Sequence, residues 1–184
     1  MRIFQVTNDA KVTFKNINFL NGWATNYDYG GAINIYYNVK VTIIDCTFMG
    51  NIAEDQGGAI NTYEGGAIDI VNCIFTNNTA GMDGGAICTN ENIIVKNTTF
   101  MNNKVEGGIA IRQRHGGAIC CQKELGTINV EVDNCTFIGN HAEDYGGAIY
   151  ADTITWTNNL HISLEIMLMI IKVVQYIQIN SKLM

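Results

Sequence analysis

The sequence predicts an all-β fold, and three features of its composition and spacing indicate it. Isoleucine and valine contribute 27 and 11 of the 184 residues, against six leucines, and β-branched side chains favour strands over helices. Glycine and asparagine number 19 and 23 and proline is absent, so the turns consist of residues that tolerate left-handed backbone angles. A Gly-Gly-Ala-Ile tetrapeptide also recurs in register with a phenylalanine. Together these features predict stacked copies of one strand-rich unit.

The repeat defines the predicted architecture. The tetrapeptide begins at Gly30, Gly57, Gly84, Gly116 and Gly146, at intervals of 27, 27, 32 and 30 residues. A unit of this length with short apolar strands cannot bury its inner face alone, so it must stack on its neighbours. The sequence therefore predicts a single right-handed parallel β-helix, a pectin-lyase-like solenoid of about five to six coils, because parallel crossovers are right-handed by strong preference.

Three columns of like residues are predicted as structural ladders. An Asn or Asp stands three residues before each phenylalanine, and we expect this first column to face inward at a bend. A second asparagine stands three residues after the phenylalanine in four repeats. The ladders comprise Phe19, Phe48, Phe75, Phe100 and Phe137; Asn16, Asn72, Asn97 and Asn134, with Asp45; and Asn51, Asn78, Asn103 and Asn140. Of the glycosylation sequons at Asn77, Asn97 and Asn134, only the first is then expected to be accessible.

The repeat also predicts the organisation of the chain. Coils are expected near residues 12–38, 39–65, 66–92, 93–125 and 126–152, with a sixth starting at 153, so that residues 1–158 form one segment. The fourth repeat contains seven extra residues between Lys104 and His115, an insertion typical of a surface loop. Residues 159–184 depart from the repeat. Back-translation of 162–177 in another frame restores Gly-Gly-Ala-Ile, so we interpret the tail as frameshifted; the alternative is an apolar cap.

Charge and cysteine usage exclude several classes of protein. The formal net charge is −6, which argues against a nucleic-acid footprint, and the six cysteines lack the spacing of a zinc finger. Cys46, Cys73 and Cys135 fall on an inward column, where a thiol acts as a small apolar filler. Cys88 and Cys120 lie one coil apart on the opposite parity, and a disulfide between them in an oxidising setting is a further expectation.

No targeting or membrane segment is predicted. The first residues lack an apolar stretch long enough for a signal peptide. The apolar run from Leu160 to Ile179 carries Glu165 and Lys172, which makes it too polar for a comfortable transmembrane helix.

The repeat motifs resemble two families of surface proteins. Phe48-Met49-Gly50-Asn51 with Gly57-Gly58-Ala59-Ile60 resembles the repeats of chlamydial polymorphic outer-membrane proteins, and Asn134-Cys135-Thr136-Phe137 is similar to repeats in adhesin-like surface proteins of methanogenic archaea. The resemblance implies a β-helix stalk of a large exported protein at the cell surface. We therefore expect a fragment of a non-catalytic adhesin-like protein whose partner is a surface glycan or a protein of a host or neighbouring cell. Open solenoid ends would also permit self-association.

The expected binding surface lies at the bends. A variable column directly precedes each double glycine: Tyr29, Gln56, Asp83, His115 and Tyr145. Tyrosine offers an apolar face with a polar tip, so exposed tyrosines could stack on sugar rings or on protein partners. Tyr29, Tyr36, Tyr63 and Tyr145 are the candidate ligand contacts, and Tyr27, Tyr37 and Tyr150 are also expected to be exposed and able to stack. The alternative is that these rings merely cover the bends.

A carbohydrate-active lyase or hydrolase is the alternative function. Acids recur before the glycines, and a ladder at Asp55, Asp83 and Asp144 would suit Ca²⁺. The one break in the repeat carries Arg112, Arg114 and His115, which would serve as an arginine and a base. Copying of a repeat unit produces such an acid ladder without any catalysis, so we expect no enzymatic activity and no cofactor.

Overall fold

The computed structural model describes residues 1–8, 10–26, 28–107, 114–123, 126–158, 161–162 and 178–179. The described regular structure is β-strand throughout, and the described residues contain no helix able to span a membrane. In this part of the chain, twenty-four strands form four parallel sheets. The predicted all-β parallel β-helix is therefore confirmed.

Each sheet takes one strand from every coil. The first sheet contains β1 (Phe4–Val6), β5 (Ile33–Tyr36), β9 (Ile60–Tyr63), β13 (Ile87–Thr89), β17 (Ile119–Cys121) and β21 (Ile149–Tyr150). The second contains β2 (Lys11–Lys15), β6 (Lys40–Ile44), β10 (Ala67–Val71), β14 (Ile93–Lys96), β18 (Asn129–Asp133), β22 (Thr153–Thr157) and β24 (Gln178–Ile179).

The other two sheets consist of shorter strands. The third sheet contains β3 (Asn18–Leu20), β7 (Thr47–Met49), β11 (Ile74–Thr76), β15 (Thr99–Met101), β19 (Thr136–Ile138) and β23 (His161–Ile162). The fourth contains β4 (Trp23–Ala24), β8 (Ile52–Ala53), β12 (Thr79–Ala80), β16 (Lys104–Val105) and β20 (His141–Ala142). We number the coils so that coil one comprises β2–β5, coil two β6–β9, coil three β10–β13, coil four β14–β17 and coil five β18–β21.

Stacked phenylalanines fill the interior. The five phenylalanines of the repeat are partners in register on neighbouring strands of the third sheet. Their ring centroids lie 4.5–4.9 Å apart with interplanar angles of at most 9°, and each ring is buried. A column of isoleucines, Ile33, Ile60, Ile87 and Ile119, faces them from the first sheet. The apolar core is therefore continuous along the coils.

The second asparagine column forms a buried ladder. Asn51, Asn78, Asn103 and Asn140 are buried. Each side-chain amide donates to the backbone carbonyl of a phenylalanine in the preceding coil at 2.9–3.0 Å. Each of the first three also donates to the side-chain oxygen of the next asparagine at 2.9 Å. The ladder thereby satisfies polar groups that the bend would otherwise leave buried without partners.

The first asparagine column does not face inward, so that expectation is wrong. Asn16, Asp45, Asn72, Asn97 and Asn134 are exposed and have positive φ angles between 48° and 56°. Asparagine and aspartate tolerate this left-handed conformation, which turns the chain and points their side chains outward. The following residue keeps the inward position instead, as Cys73 does. The sequons at Asn97 and Asn134 are consequently exposed as well, contrary to expectation.

The double glycine is required by close approach of neighbouring coils. The first glycine of the pair has a positive φ, 66° at Gly57. The second has no room for a side chain, because a Cβ at Gly58 would lie 2.1 Å from the carbonyl oxygen of Gly85. This packing explains why the motif recurs in every coil.

Two predicted features lie mainly outside the described residues. The insertion of coil four includes residues 108–113, and most of the aberrant tail, 159–160, 163–177 and 180–184, is likewise outside them. The described pieces of the tail continue two of the sheets, with β23 pairing with β19 and β24 with β22.

Candidate ligand-binding surface

The four candidate tyrosines do not form one column. Tyr36 and Tyr63 are partners in register on β5 and β9. Tyr145 lies in coil five beside His115, and Tyr29 is half-buried, with its carbonyl accepting a hydrogen bond from Arg2 Nε at 3.1 Å. Tyr27 lies outside the described residues. The structure thus separates the candidates into two aromatic clusters and one residue near the N-terminal end.

The larger exposed cluster, here called the Tyr36 patch, consists of Tyr36, Tyr37 and Tyr63. The Tyr36 ring lies 5.8 Å from the Tyr37 ring and 6.3 Å from the Tyr63 ring, measured between centroids. Tyr37 is 51% exposed and Tyr63 45%. Three aromatic rings on two neighbouring coils therefore present a continuous surface to solvent.

The local backbone explains why these rings project. Tyr37 and Asn38 have φ angles of 51° and 55°, and Glu64 and Gly65 have φ angles of 48° and 85°. Both pairs turn the chain from the first sheet to the second immediately after the tyrosine-bearing strands. In coil three the position of Tyr63 is occupied by Asn90, so the aromatic surface is confined to coils one and two.

A polar network fixes the central ring. The side-chain amide of Asn34 donates to the Tyr36 hydroxyl at 2.8 Å, and the amide of Asn61 donates to Asn34 Oδ1 at 3.1 Å. Both asparagines are buried. Exposed Asn38 and Glu64 flank the rings. The patch therefore combines aromatic faces with hydrogen-bonding groups at its margin.

The second aromatic cluster, here called the His115 stack, consists of His115, Tyr145 and Tyr150. The His115 ring lies 5.7 Å from the Tyr145 ring and 4.3 Å from the Tyr150 ring. His115 Nδ1 lies 2.8 Å from Asp83 Oδ1. Tyr145 is 42% exposed, whereas burial raises the pKa of Tyr150. This cluster exposes one ring.

The expectation that the column before the double glycines forms the variable binding face is wrong for Asp83 and His115. These two side chains are buried. The double-glycine turn folds this column over the outward side of the first sheet, where Cys88 Sγ donates to Gln56 Oε1 at 3.7 Å. Because the turn is set by contacts between coils, the spacing of the motif alone did not reveal this second layer.

Several acidic residues before the glycines contact side-chain or backbone groups of the same chain. Asp83 contacts His115, and Asp144 Oδ2 accepts a hydrogen bond from the Arg114 backbone at 2.9 Å. Arg114 also forms an ion pair with Glu143. Asp55 is 9% exposed. Within the described part of the chain, no group of three or more His, Cys, Asp or Glu residues is arranged to hold a metal ion. Arg112 lies outside the described residues.

The inward cysteines are buried packing residues. The thiol of Cys46 donates to the Ile44 carbonyl at 3.1 Å, and that of Cys73 to the Val71 carbonyl at 3.2 Å. Burial raises the pKa of Cys73 to about 11 and also raises that of Cys135. A thiol that stays protonated at neutral pH is a poor nucleophile.

The N-terminal end of the coils carries a cleft of about 550 Å³. Its lining includes Arg2, Phe4, Trp23 and Asp28. Phe4 and Trp23 are 43% and 52% exposed, and Arg2 forms an ion pair with Asp28. This end therefore presents apolar side chains beside strand edges.

The stacked parallel sheets, the in-register ladders and the glycine turns define a β-solenoid protein. A family model described as the right-handed β-helix region matches residues 4–163, and the chain belongs to this family. No curated protein and no solved structure matches the chain significantly.

Proposed function

We propose that the chain is a non-catalytic, adhesin-like β-helix module of a larger exported protein, displayed at the cell surface, and that it binds glycans through the Tyr36 patch. The observation that carries the proposal is the exposure of Tyr37 and Tyr63 around the fixed Tyr36 ring on neighbouring coils. The resemblance of the repeats to adhesin-like surface proteins supports the same role.

The chemistry of the Tyr36 patch suits a sugar better than a charged or fully apolar ligand. Tyrosine supplies a large, rigid contact area at low entropic cost, and its ring can pack against the apolar face of a sugar while its hydroxyl meets the sugar's hydroxyl groups. Neighbouring coils are about 4.8 Å apart, so the rings of coils one and two offer stacking positions along an extended chain. A protein on a host or neighbouring cell is the other expected partner.

The proposed test compares tyrosine variants on a glycan panel. The whole chain is screened against neutral and acidic oligosaccharides, and affinities for the ligands found are measured by titration calorimetry. We expect Tyr37→Ala and Tyr63→Ala each to weaken binding about 5- to 30-fold, which corresponds to about 1–2 kcal/mol. Tyr145→Ala is the matched control, because Tyr145 is similarly exposed but belongs to the His115 stack.

Two results would count against this assignment. An equal loss of glycan affinity in the Tyr145→Ala and Tyr37→Ala variants would show that the Tyr36 patch has no special role in binding. Binding to protein ligands alone would show that the partner is a protein and not a glycan.

The enzymatic alternative has its own test. The purified chain is incubated with polyuronates and neutral polysaccharides while new reducing ends and unsaturated products are monitored. Because Arg114 is paired with Glu143 and the side chain of His115, the candidate base, is buried, we expect no turnover. Turnover that Arg114→Ala abolishes would establish the lyase or hydrolase function instead.

A further inference from the structure

Two thiols on the outward side of the first sheet have no part in the proposed binding surface. Cys88 in coil three and Cys120 in coil four are partners in register on the parallel strands β13 and β17. Neighbouring strands lie about 4.8 Å apart, and disulfides bridge Cα atoms separated by roughly 4.4–6.8 Å. The backbone therefore places the two residues at a separation that a disulfide can bridge.

The side chains as well as the backbones of the two residues meet. The thiol of Cys88 is close enough to Cys120 for a hydrogen bond between the sulfurs, and this contact, followed by burial, raises the pKa of Cys120. Cys88 is 6% exposed and Cys120 is fully buried. Cys88 is therefore the more accessible of the two thiols, and Cys120 lies beside it on the next coil.

The same column is tied together by a different bond in the earlier coils. Asn34 and Asn61 occupy the equivalent outward positions of coils one and two and are joined by an amide hydrogen bond of 3.1 Å. Cys88 and Cys120 continue this column into coils three and four. The chain between them contains the insertion of the fourth repeat, so a bond here would span the least regular coil.

We propose that Cys88 and Cys120 form a disulfide that joins coil three to coil four when the chain meets a small disulfide oxidant such as oxidised glutathione. The Cys88 sulfur, after losing its proton, attacks the small disulfide and releases one small thiol. The Cys120 sulfur then displaces the second small thiol from the mixed disulfide. In balance, two protein thiols are oxidised to one disulfide and one small disulfide is reduced to two thiols.

The inward pair Cys46 and Cys73 provides an internal comparison. These residues also lie one coil apart, but each donates its thiol hydrogen to backbone carbonyls, Cys46 to Ile44 and Phe14 and Cys73 to Val71 and Ile43. The Cys88 thiol donates instead to a side-chain oxygen, Gln56 Oε1, at 3.7 Å. Both are 1% exposed. We expect them to remain thiols under conditions that oxidise Cys88 and Cys120.

The test is thiol counting and peptide mapping on the whole chain. The reduced protein is incubated under native conditions with oxidised glutathione, the remaining thiols are alkylated in denaturant, and intact mass and non-reduced peptides are analysed. We expect the six cysteines to yield four alkylated thiols and one linked peptide containing Cys88 and Cys120. Six alkylated thiols, or a bridge that maps to another pair, overturns the proposal.

Thermal unfolding of cysteine variants provides a second test of the disulfide. Oxidation should raise the Tm of the wild-type chain by several degrees, because the bridge restricts the unfolded chain. Cys88→Ala should show no dependence of Tm on the oxidant, whereas Cys46→Ala should keep it. A Tm shift that persists in Cys88→Ala contradicts the assignment. If Cys88→Ala does not fold, the peptide map of the wild-type chain decides alone.

Discussion

Replacing Asn78 by alanine removes the centre of the buried asparagine ladder. Its side-chain amide donates to the Phe48 carbonyl at 3.0 Å and to Asn103 Oδ1 at 2.9 Å. Its side-chain oxygen accepts from the Asn51 backbone at 3.0 Å and from the Asn51 side chain at 2.9 Å. All four hydrogen-bonding positions of the side chain are therefore used within a site that is 0% exposed.

The size of the expected effect follows from the groups that lose their partner. Alanine leaves the Asn51 backbone N–H and one Asn51 side-chain N–H without their acceptor in a buried site. An unsatisfied buried donor costs about 1–3 kcal/mol, so the two donors together lower the free energy of unfolding by about 2–6 kcal/mol.

The assay is equilibrium unfolding in urea followed by circular dichroism, with Asn72→Gly as the control. Asn72 is exposed, donates one hydrogen bond to Asp45 at 3.2 Å and has a φ of 55° that glycine also adopts. We expect the control to change the free energy of unfolding by less than about 1 kcal/mol. A cost for Asn78→Ala equal to that of Asn72→Gly would refute the reasoning.

An isosteric variant separates hydrogen bonding from the loss of volume. Asn78→Asp keeps the shape of the side chain but places an oxygen against the Phe48 carbonyl and Asn103 Oδ1, both of which are acceptors. Burial raises the pKa of such a carboxyl, so the folded variant keeps a proton that the unfolded chain loses above about pH 4. We therefore expect the stability of this variant to fall as the pH rises above about 4. A stability that is equal to that of the wild type at neutral pH would contradict the ladder.

Three further predictions concern the core, the thiols and the turns. Phe75→Ala should lower the free energy of unfolding by about 3–5 kcal/mol. Met101 is 37% exposed, so Met101→Ala should lower it by less than about 1 kcal/mol. Unfolding in urea measures both changes. Burial raises the pKa of Cys73 from 9.0 to about 11, so the unfolded chain loses this proton at a lower pH than the folded chain. The free energy of unfolding should therefore fall between about pH 9 and 11, and it should fall less steeply in Cys73→Ala. An equal dependence on pH in the two chains would contradict this. Gly58→Ala should destabilise the chain far more than Gly107→Ala. At Gly107 no atom lies within 4 Å of the new Cβ, so only the left-handed φ opposes the alanine, at a cost of about 1–2 kcal/mol. The Tm values of the two variants test this order.

The interior was predictable because its residues recur with a fixed spacing. Phe48 and Phe75 stand 27 residues apart, and a period of this length implies that equivalent residues lie over one another. Asn51 and Asn78 follow with the same spacing. Stacking repeats every contact along the axis, so sequence periodicity alone is sufficient for the core.

The direction of a side chain at a bend was not predictable in the same way. Asn72 has a left-handed backbone conformation. An asparagine at this position indicates that conformation, but it does not indicate whether the side chain is buried. Asp83 and His115 were expected on an open surface, whereas the double-glycine turn buries them. That turn depends on the packing of one coil against the next, which residue types do not encode locally.

The candidate site was predicted in part. Tyr36 and Tyr63 were candidate contacts and lie in register, but grouping them with Tyr29 and Tyr145 followed only from their residue type. Tyr37 was predicted to be among the exposed rings able to stack on a ligand, but it was not selected as a candidate contact. Its position between Tyr36 and Asn38 was the available signal, because a tyrosine directly before an asparagine turn is held away from the strand.

The most direct test of the stacked ladders is nuclear Overhauser contact between phenylalanine rings in solution. With protonated phenylalanine in an otherwise deuterated chain, we predict contacts for Phe48 with Phe75 and for Phe100 with Phe137, whose centroids lie 4.6 and 4.9 Å apart. Phe48 and Phe100 are separated by an intervening ring and should show none. Missing contacts between neighbours, or contacts between Phe48 and Phe100, would contradict the in-register stacking on which the Tyr36 patch and the thiol pair depend.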